Sequence, residues 1–195
     1  MSSIANSVKN KARLFFAIEL PQELKNQLEL LQQTNPVFVG RTVKPHNFHI
    51  TLQFLGSVDR QNIHDLADSI EIPGIKPFSA AISHHAYYPK TEIGCVEISE
   101  GKQKLKEIKS HINRCLANAG FHFAKDKHDF RPHITLYREC QALGDIEQLL
   151  TFDFPIESFC LMESVQNEKG VYYEVIEEWP VYEPSIKEQF FGIKD

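Results

Sequence analysis

Two copies of one tetrapeptide, His-Ile-Thr-Leu, are the residues of this sequence best suited to chemistry. They occupy residues 49–52 and 133–136, so they lie 133 − 49 = 84 residues apart. If each copy is a β-strand, alternate side chains point to opposite faces, and the histidine and threonine share a polar face while isoleucine and leucine anchor the other. The sequence therefore predicts four polar residues for one site: His49, Thr51, His133 and Thr135.

Two imidazoles and two hydroxyls in one cleft suit the in-line opening of a phosphodiester. The leaving alkoxide needs a proton, and the water on the far side of phosphorus needs a base. Histidine, with an ordinary pKa of about 6.5, can serve in either role near neutral pH. Threonine hydroxyls can donate to the non-bridging oxygens, where charge builds up in the transition state. This chemistry requires no metal, and the nearly identical motifs leave the acid and the base unassigned.

The elements around the motifs repeat at the same offset, in the order strand, helix, motif strand, short helix, strand. In the first half these elements are predicted at residues 13–20, 21–33, 49–56, 59–70 and 78–84. In the second half they are predicted at residues 94–99, 102–119, 133–136, 144–150 and 156–165. A hairpin is predicted from 158–165 to 171–177. The repeated order favours two similar lobes around a pseudo-twofold axis.

Composition places the chain among ordinary globular proteins. Its 195 residues are 42% hydrophobic and 24% charged, which suits one domain with an ample core. No apolar run approaches the ~20 residues that cross a bilayer, and the start has no secretory pattern, so we expect a cytoplasmic protein. We expect a flexible N-terminus at 1–12, a single bilobal domain at 13–183 and a peripheral tail at 184–195.

Charge and cysteine content exclude other classes. The formal net charge of −5 argues against clamping of long nucleic acid by bulk charge, so any anionic ligand needs a local patch. The four cysteines contain no Cys-x-x-Cys pair, which indicates buried, reduced thiols rather than a zinc or redox site.

The residues around the motifs resemble the two-histidine phosphoesterases, and in particular the RNA 2′,3′-cyclic phosphodiesterases, also called 2′-5′ RNA ligases. The opening RLFFAI with LP is similar to that branch's first strand. NFHITL with FLG is similar to its first signature, and FRPHITL with Arg138 to its second. The similarity covers roughly residues 13–182. The family commonly has a Trp where this chain has Thr42, so stacking of a base at that position is absent.

The resemblance implies an α+β fold that is bilobal and 2′-5′ RNA ligase-like. It has two antiparallel sheets with outer helices, and a pseudo-twofold repeat around a central cleft. The implied activity is hydrolysis of 2′,3′-cyclic phosphates on RNA ends or nucleotides to 2′-phosphates, with 2′-5′ ligation as a weak side activity. The resemblance further implies that His49 protonates the leaving 3′ oxygen and that His133 activates water. We expect no cofactor, no metal, no membrane association and a monomer.

Two arginines beside the second motif are candidates for binding the substrate's phosphate. Arg131 has the parity of His133 if the strand is regular through Pro132. Arg138 has the opposite parity, so it reaches the phosphate only if the strand ends or bulges after Leu136. The resemblance favours Arg138, because family members carry an arginine there.

Basic residues also precede both motifs and could follow an RNA backbone at the cleft rim. They are Arg41, Lys44 and His46 before the first motif, and Lys125, Lys127 and His128 before the second. Asp126 and Asp129 dilute the second cluster, so ordinary surface loops are the favoured interpretation.

Two other functions would keep the same motifs. One is a phosphodiesterase for another small cyclic phosphate or for 2′-5′ oligonucleotides. The other is a nucleotide- or RNA-binding module that kept the cleft without useful turnover. The reaction product separates them, because only the proposed enzyme converts a 2′,3′-cyclic nucleotide into a 2′-monoester.

Overall fold

A computed structural model of the protein describes residues 10–34, 36–123, 129–142, 149–168 and 170–183. Within these ranges the strands are β1 (Lys11–Glu19), β2 (Phe38–Thr42), β3 (His49–Asp59), β4 (Phe78–Tyr88), β5 (Ile93–Glu100), β6 (His133–Ala142), β7 (Leu149–Ile156), β8 (Ser158–Asn167) and β9 (Gly170–Pro180). The α-helices are α1 (Gln22–Thr34), α2 (Ile63–Asp68) and α3 (Lys102–Asn118), and short 3-10 turns occupy Pro45–Asn47 and Arg60–Asn62.

The strands form one antiparallel sheet in the order β7-β4-β5-β6-β3-β1-β8-β9, and β2 also pairs with β6. The two expected sheets are present as its two halves, which are joined between β3 and β6 by a single residue pair, Ile50 opposite Ile134. Both side chains are fully buried. The predicted α+β architecture is confirmed, with the sheets continuous through this one pair.

The strand order confirms the internal repeat, because it reads the same from either end. Taken outward from the central pair, β6, β5, β4 and β7 correspond to β3, β1, β8 and β9. Ile50 and Ile134 are themselves 134 − 50 = 84 residues apart, so the pseudo-twofold axis passes between them.

The lobes are not simply the two halves of the sequence. The closing strand of each half crosses to the other lobe, since β4 pairs with β5 and β8 pairs with β1. This exchange gives β1 and β5 a partner on both edges, so neither strand leaves backbone donors and acceptors unpaired beside the centre.

The longer helices pack on the sheet through the stripes that the sequence predicts. Leu24 and Leu28 of α1 are buried. The buried residues of α3 include Leu105, Ile108, Ile112, Cys115 and Leu116. Each fully buried side chain of this size contributes roughly 1.5–3 kcal/mol relative to exposure. The backbone at Gly120 has φ +84°, as expected for a residue that ends a helix.

The predicted helix at 59–70 is shorter than expected. β3 continues to Asp59, a 3-10 turn follows, and α2 covers only Ile63–Asp68. The backbone N–H of Arg60 donates to the carbonyl of Asn10 at 2.9 Å. This bond extends the pairing between β1 and β3 past the point where helical periodicity begins.

Three other elements differ from the prediction. The strand predicted at 156–165 is two strands, β7 and β8, and β7 pairs with β4. The predicted helix at 144–150 lies mostly outside the described residues, and its last two positions, Leu149 and Leu150, begin β7. β2 was not predicted, because its partners lie in β6, nearly one hundred residues away in sequence.

The described residues also bear on compartment and chain ends. All four cysteines are buried and free, as expected. None of the helices in the described ranges is long and apolar enough to cross a bilayer. β1 begins at Lys11, two residues before the predicted domain boundary, whereas residues 1–9 and the tail at 184–195 lie outside the described part of the chain.

Candidate active site

The two motifs open β3 and β6, and the structure brings all four predicted polar residues together. The single pair that joins these strands sets their register. One step away on either side, His49 lies beside Thr135 and Thr51 lies beside His133. All four side chains occupy the face opposite the buried isoleucines. The predicted polar cluster therefore straddles the pseudo-twofold axis.

Both imidazoles are held in the same way. Nδ1 of His49 donates to the carbonyl oxygen of Asn47, and Nδ1 of His133 donates to that of Arg131, each at 2.8 Å. A carbonyl only accepts, so Nδ1 carries the proton in each neutral ring and Nε2 presents a lone pair. Each histidine thus keeps Nε2 for proton transfer.

Thr51 contacts the first of these nitrogens directly. Its hydroxyl lies 3.0 Å from Nε2 of His49 and donates to it when the ring is neutral. His133 and Thr135, both of which the structure describes, form no such bond. The first difference between the two motifs is therefore the partner of Nε2.

Aromatic rings fix the position of His49. Phe15 lies 5.0 Å from its ring centre and Tyr173 packs edge-on at 4.9 Å. His133 has one such neighbour, Tyr88, which packs edge-on at 5.2 Å. These contacts restrict both rings to one orientation, which a proton-transfer group needs.

Burial and neighbouring charges lower the pKa of both histidines. Burial is the largest cause for His49 and brings its pKa to about 4, while the positive charges of Arg138, His133 and Lys25 lower it further. Burial also lowers the pKa of His133, but there the carboxylate of Glu97 acts in the opposite direction. The two rings therefore sit in different electrostatic surroundings.

A carboxylate lies opposite each histidine in the neighbouring strand. Glu19 pairs with the first and Glu97 with the second. Glu19 is bound at 3.0 Å by Nζ of Lys25, whose side chain is only 8% exposed. Glu97 instead accepts a hydrogen bond from the hydroxyl of Tyr88 at 2.7 Å. The carboxylate beside the first motif is neutralised by a lysine, and the one beside the second is held by a neutral group.

A bulge in β6 brings Arg138 to the motif face. Consecutive residues of β5 pair with Thr135 and Tyr137, so Leu136 is an extra residue that reverses the parity of the residues after it. This is the condition that the sequence set for Arg138 to reach the phosphate. Its charge lowers the pKa of both motif histidines, which shows that the guanidinium lies near each of them.

Arg131 is placed differently. Its backbone carbonyl holds Nδ1 of His133, while its side chain is exposed. The structure thus uses the main chain of this candidate and brings only Arg138 close to both histidines.

The same bulge in β3 places an aromatic residue that the sequence analysis did not assign. Leu52 is the extra residue there, since consecutive residues of β1 pair with its two neighbours. Phe54 then takes the position that Arg138 takes in β6, because 138 − 54 = 84. It is 63% exposed and lies 6.1 Å from Phe15, the ring that packs on His49. Applying the repeat offset to Arg138 would have found it.

Other sites in the described part of the chain are less suited to this chemistry. That part contains no group of three or more histidine, cysteine, aspartate or glutamate side chains that could hold a metal ion. A groove of about 360 Å³ between α3 and residues 73–75 contains none of the predicted site residues. The candidate active site is therefore the cleft at the two motifs.

Comparisons with known proteins agree with this placement. Residues 18–95 match the model of the family described as LigT like Phosphoesterase. A Methanocaldococcus jannaschii protein named RNA 2′,3′-cyclic phosphodiesterase is 29% identical over 177 residues, covering 86% of this chain and 99% of that one. A Thermus thermophilus protein of the same name is 29% identical over 189 residues, covering 92% and 96%. The crystal structure of E. coli LigT complexed with 3′-AMP superposes with a TM-score of 0.76 at 22% identity, covering 88% of this chain and 98% of that one.

These matches confirm the resemblance that the two motifs suggest. The fold is that of the LigT-like phosphoesterases, and the matched segment contains the first histidine motif. The curated relatives extend the sequence similarity over most of the chain, including the second motif.

Proposed function

We propose that this protein is a metal-independent hydrolase that opens 2′,3′-cyclic phosphates on RNA ends or nucleotides to 2′-phosphomonoesters. The names of the relatives support a cyclic phosphodiesterase acting on RNA or nucleotides. One observation carries the proposal. Two histidines related by the pseudo-twofold axis each bind a carbonyl through Nδ1 and keep Nε2 for the substrate.

The reaction needs one proton donor and one base. Nε2–H of His49 protonates the 3′ oxygen as its bond to phosphorus breaks. Nε2 of His133 takes a proton from water as the water oxygen bonds to phosphorus on the opposite side. The product carries a 2′-phosphate and a free 3′-hydroxyl. One histidine has lost a proton and the other has gained one, and exchange with solvent restores both.

The carboxylates opposite the histidines support this division of roles. A general base becomes positively charged, and Glu97 lies where it stabilises the imidazolium formed on His133. Near His49 the corresponding carboxylate is neutralised by Lys25. Its lowered pKa makes the protonated ring a strong donor once the anionic phosphate has favoured its protonation.

The remaining residues supply binding and transition-state stabilisation. Arg138 matches the charge that develops on the non-bridging oxygens, and the hydroxyls of Thr51 and Thr135 can donate to them. Phe54, exposed beside the first motif, offers a face on which the terminal base can stack. This aromatic serves the purpose that Thr42 cannot.

Two further expectations accompany the proposal. We expect the protein to act as a monomer, which light scattering after size-exclusion chromatography tests. We also expect it in the cytoplasm, which cell fractionation tests.

Phosphorus NMR of a 2′,3′-cyclic nucleotide incubated with the protein and EDTA tests the proposed function. A 2′-monoester is the expected product. A 3′-monoester would contradict the proposed direction of attack, because it requires protonation of the 2′ oxygen. Saturable binding without turnover would instead favour a nucleotide-binding module.

A further inference from the structure

A second arginine lies next to Arg138 on the rim of the cleft. β2 runs antiparallel to β6, and Arg41 is the register partner of Arg138. Partners in an antiparallel pair have Cα atoms about 4.5–5.5 Å apart and side chains on the same side of the sheet. The register therefore sets two guanidinium groups side by side.

The local backbone is built for this close approach. A Cβ added to Gly40 would lie 2.3 Å from Cβ of Cys140, so only glycine lets β2 run so near to β6 at this point. On the other strand, Glu139 has φ +51°, a left-handed conformation that non-glycine residues rarely adopt. Such conformations cluster at functional sites.

Glu139 orients Arg41 while leaving part of it available. Nε and one terminal nitrogen of Arg41 donate to the two carboxylate oxygens at 3.3 and 2.9 Å. This arrangement occupies two of the five N–H donors of a guanidinium, and the others can bind a second anion. With Arg138 included, the three side chains carry two positive charges and one negative charge, so the group remains attractive to a phosphate.

Arg41 also faces the substrate side of the cleft. Tyr173 is close enough to raise the pKa of Arg41, and the same tyrosine ring packs on His49. Arg41 is thus near a residue that contacts the candidate active site, one step outward from the arginine that lies near both histidines.

We propose that Arg41, oriented by Glu139, forms a second phosphate subsite that binds the internucleotide phosphate next to the terminal cyclic phosphate. The inference rests on the proposed function. A planar guanidinium suits a phosphodiester because it donates two parallel hydrogen bonds. A cyclic mononucleotide has no such phosphate, so the subsite favours RNA ends of two or more nucleotides.

The experiment compares kcat/KM of the wild-type protein and R41A on three substrates at low salt. These are a 2′,3′-cyclic mononucleotide, the dinucleotide with the same cyclic end, and that dinucleotide with a neutral methylphosphonate linkage. We expect R41A to lose about tenfold or more on the charged dinucleotide, as for a charge-assisted hydrogen bond. On the other two substrates we expect less than a twofold change. R41K should recover part of the loss, because it keeps the charge but not the fork.

R60A is the matched control, because Arg60 also forms a bidentate pair with a glutamate, Glu163, at the far end of β3 from the motif. It should leave the ratio of the charged to the neutral dinucleotide unchanged. Equal losses in R41A on the charged and neutral dinucleotides would overturn the subsite, as would a wild-type protein that does not distinguish them. If the wild-type protein opens none of the three substrates, the proposed function itself fails.

Discussion

The two motif-bearing halves share a backbone and differ in the side chains mounted on it. In both halves the motif opens a strand, Nδ1 binds the carbonyl two residues earlier, a carboxylate lies opposite, and the strand bulges three residues later. The backbone thus supplies two equivalent proton-transfer groups. Their different tasks must come from the side chains that surround them.

Three side-chain differences distinguish the halves. At the position after the bulge, one half has Phe54 and the other Arg138. Lys25 neutralises the carboxylate of the first half, whereas Tyr88 holds that of the second. Thr51 bonds to the catalytic nitrogen in the first half only, among the residues described. The first half is equipped to hold a base and donate a proton, and the second to hold phosphate and accept one.

The largest expected effect comes from removing either histidine. H49A and H133A should each lower kcat by about 10²–10⁴-fold, the usual contribution of a general acid or base. Both histidines are partly accessible at the start of their strands, so each variant should keep its circular dichroism spectrum and thermal unfolding midpoint. A folded single variant with near wild-type kcat would break the pairing of the two halves.

The next effect separates the two candidate arginines. R138A should lose about 10²–10³-fold in kcat, as when one preorganised donor to a developing oxyanion is removed. R131A should stay within a few-fold of wild type, because that residue contributes its backbone carbonyl. Steady-state kinetics on a cyclic nucleotide decide between them, and a reversed order would assign the phosphate contact to Arg131.

A smaller effect is expected from the aromatic position of the first half. F54A should raise KM with little change in kcat, since stacking on a base contributes about 1–3 kcal/mol. L30A is the control, because Leu30 is similarly exposed but lies on α1. An unchanged KM in F54A would mean that the base does not stack in this half.

The smallest effect is a shift in pH dependence that assigns the roles. The carboxylate of Glu97 raises the pKa of His133, so E97Q lowers it. A base with a lower pKa becomes neutral at lower pH, so the acidic limb of the kcat/KM profile should move to lower pH by up to about one unit. E100Q, an exposed change on the same strand, should not move it. A shift of the alkaline limb instead would make His133 the acid.

The sequence was sufficient for the features that repeat. The doubled motif located the polar cluster, and the offset of 84 residues indicated the pseudo-twofold order of strands. Parity reasoning stated that Arg138 needs a bulge, and the bulge is present at Leu136. Buried stripes predicted α1 and α3 because their contacts are periodic along the chain.

The features that the sequence missed depend on contacts between distant segments. β2 forms only because Gly40 permits a close approach to Cys140, a hundred residues away. The exchange of closing strands depends on edge pairing, which has no local pattern. The surroundings of the histidines were hidden for the same reason, since Glu19, Glu97 and Tyr88 reach them through strand register.

A crystal structure with a nucleoside 2′-phosphate bound would test the central claim most directly. The product should lie across the two motifs with Nε2 of His49 within hydrogen-bond distance, ~3 Å, of the 3′ oxygen. Nε2 of His133 should contact a phosphate oxygen on the other side of phosphorus. Both rings on the same side of phosphorus, or a product bound only in the groove beside α3, would contradict the account.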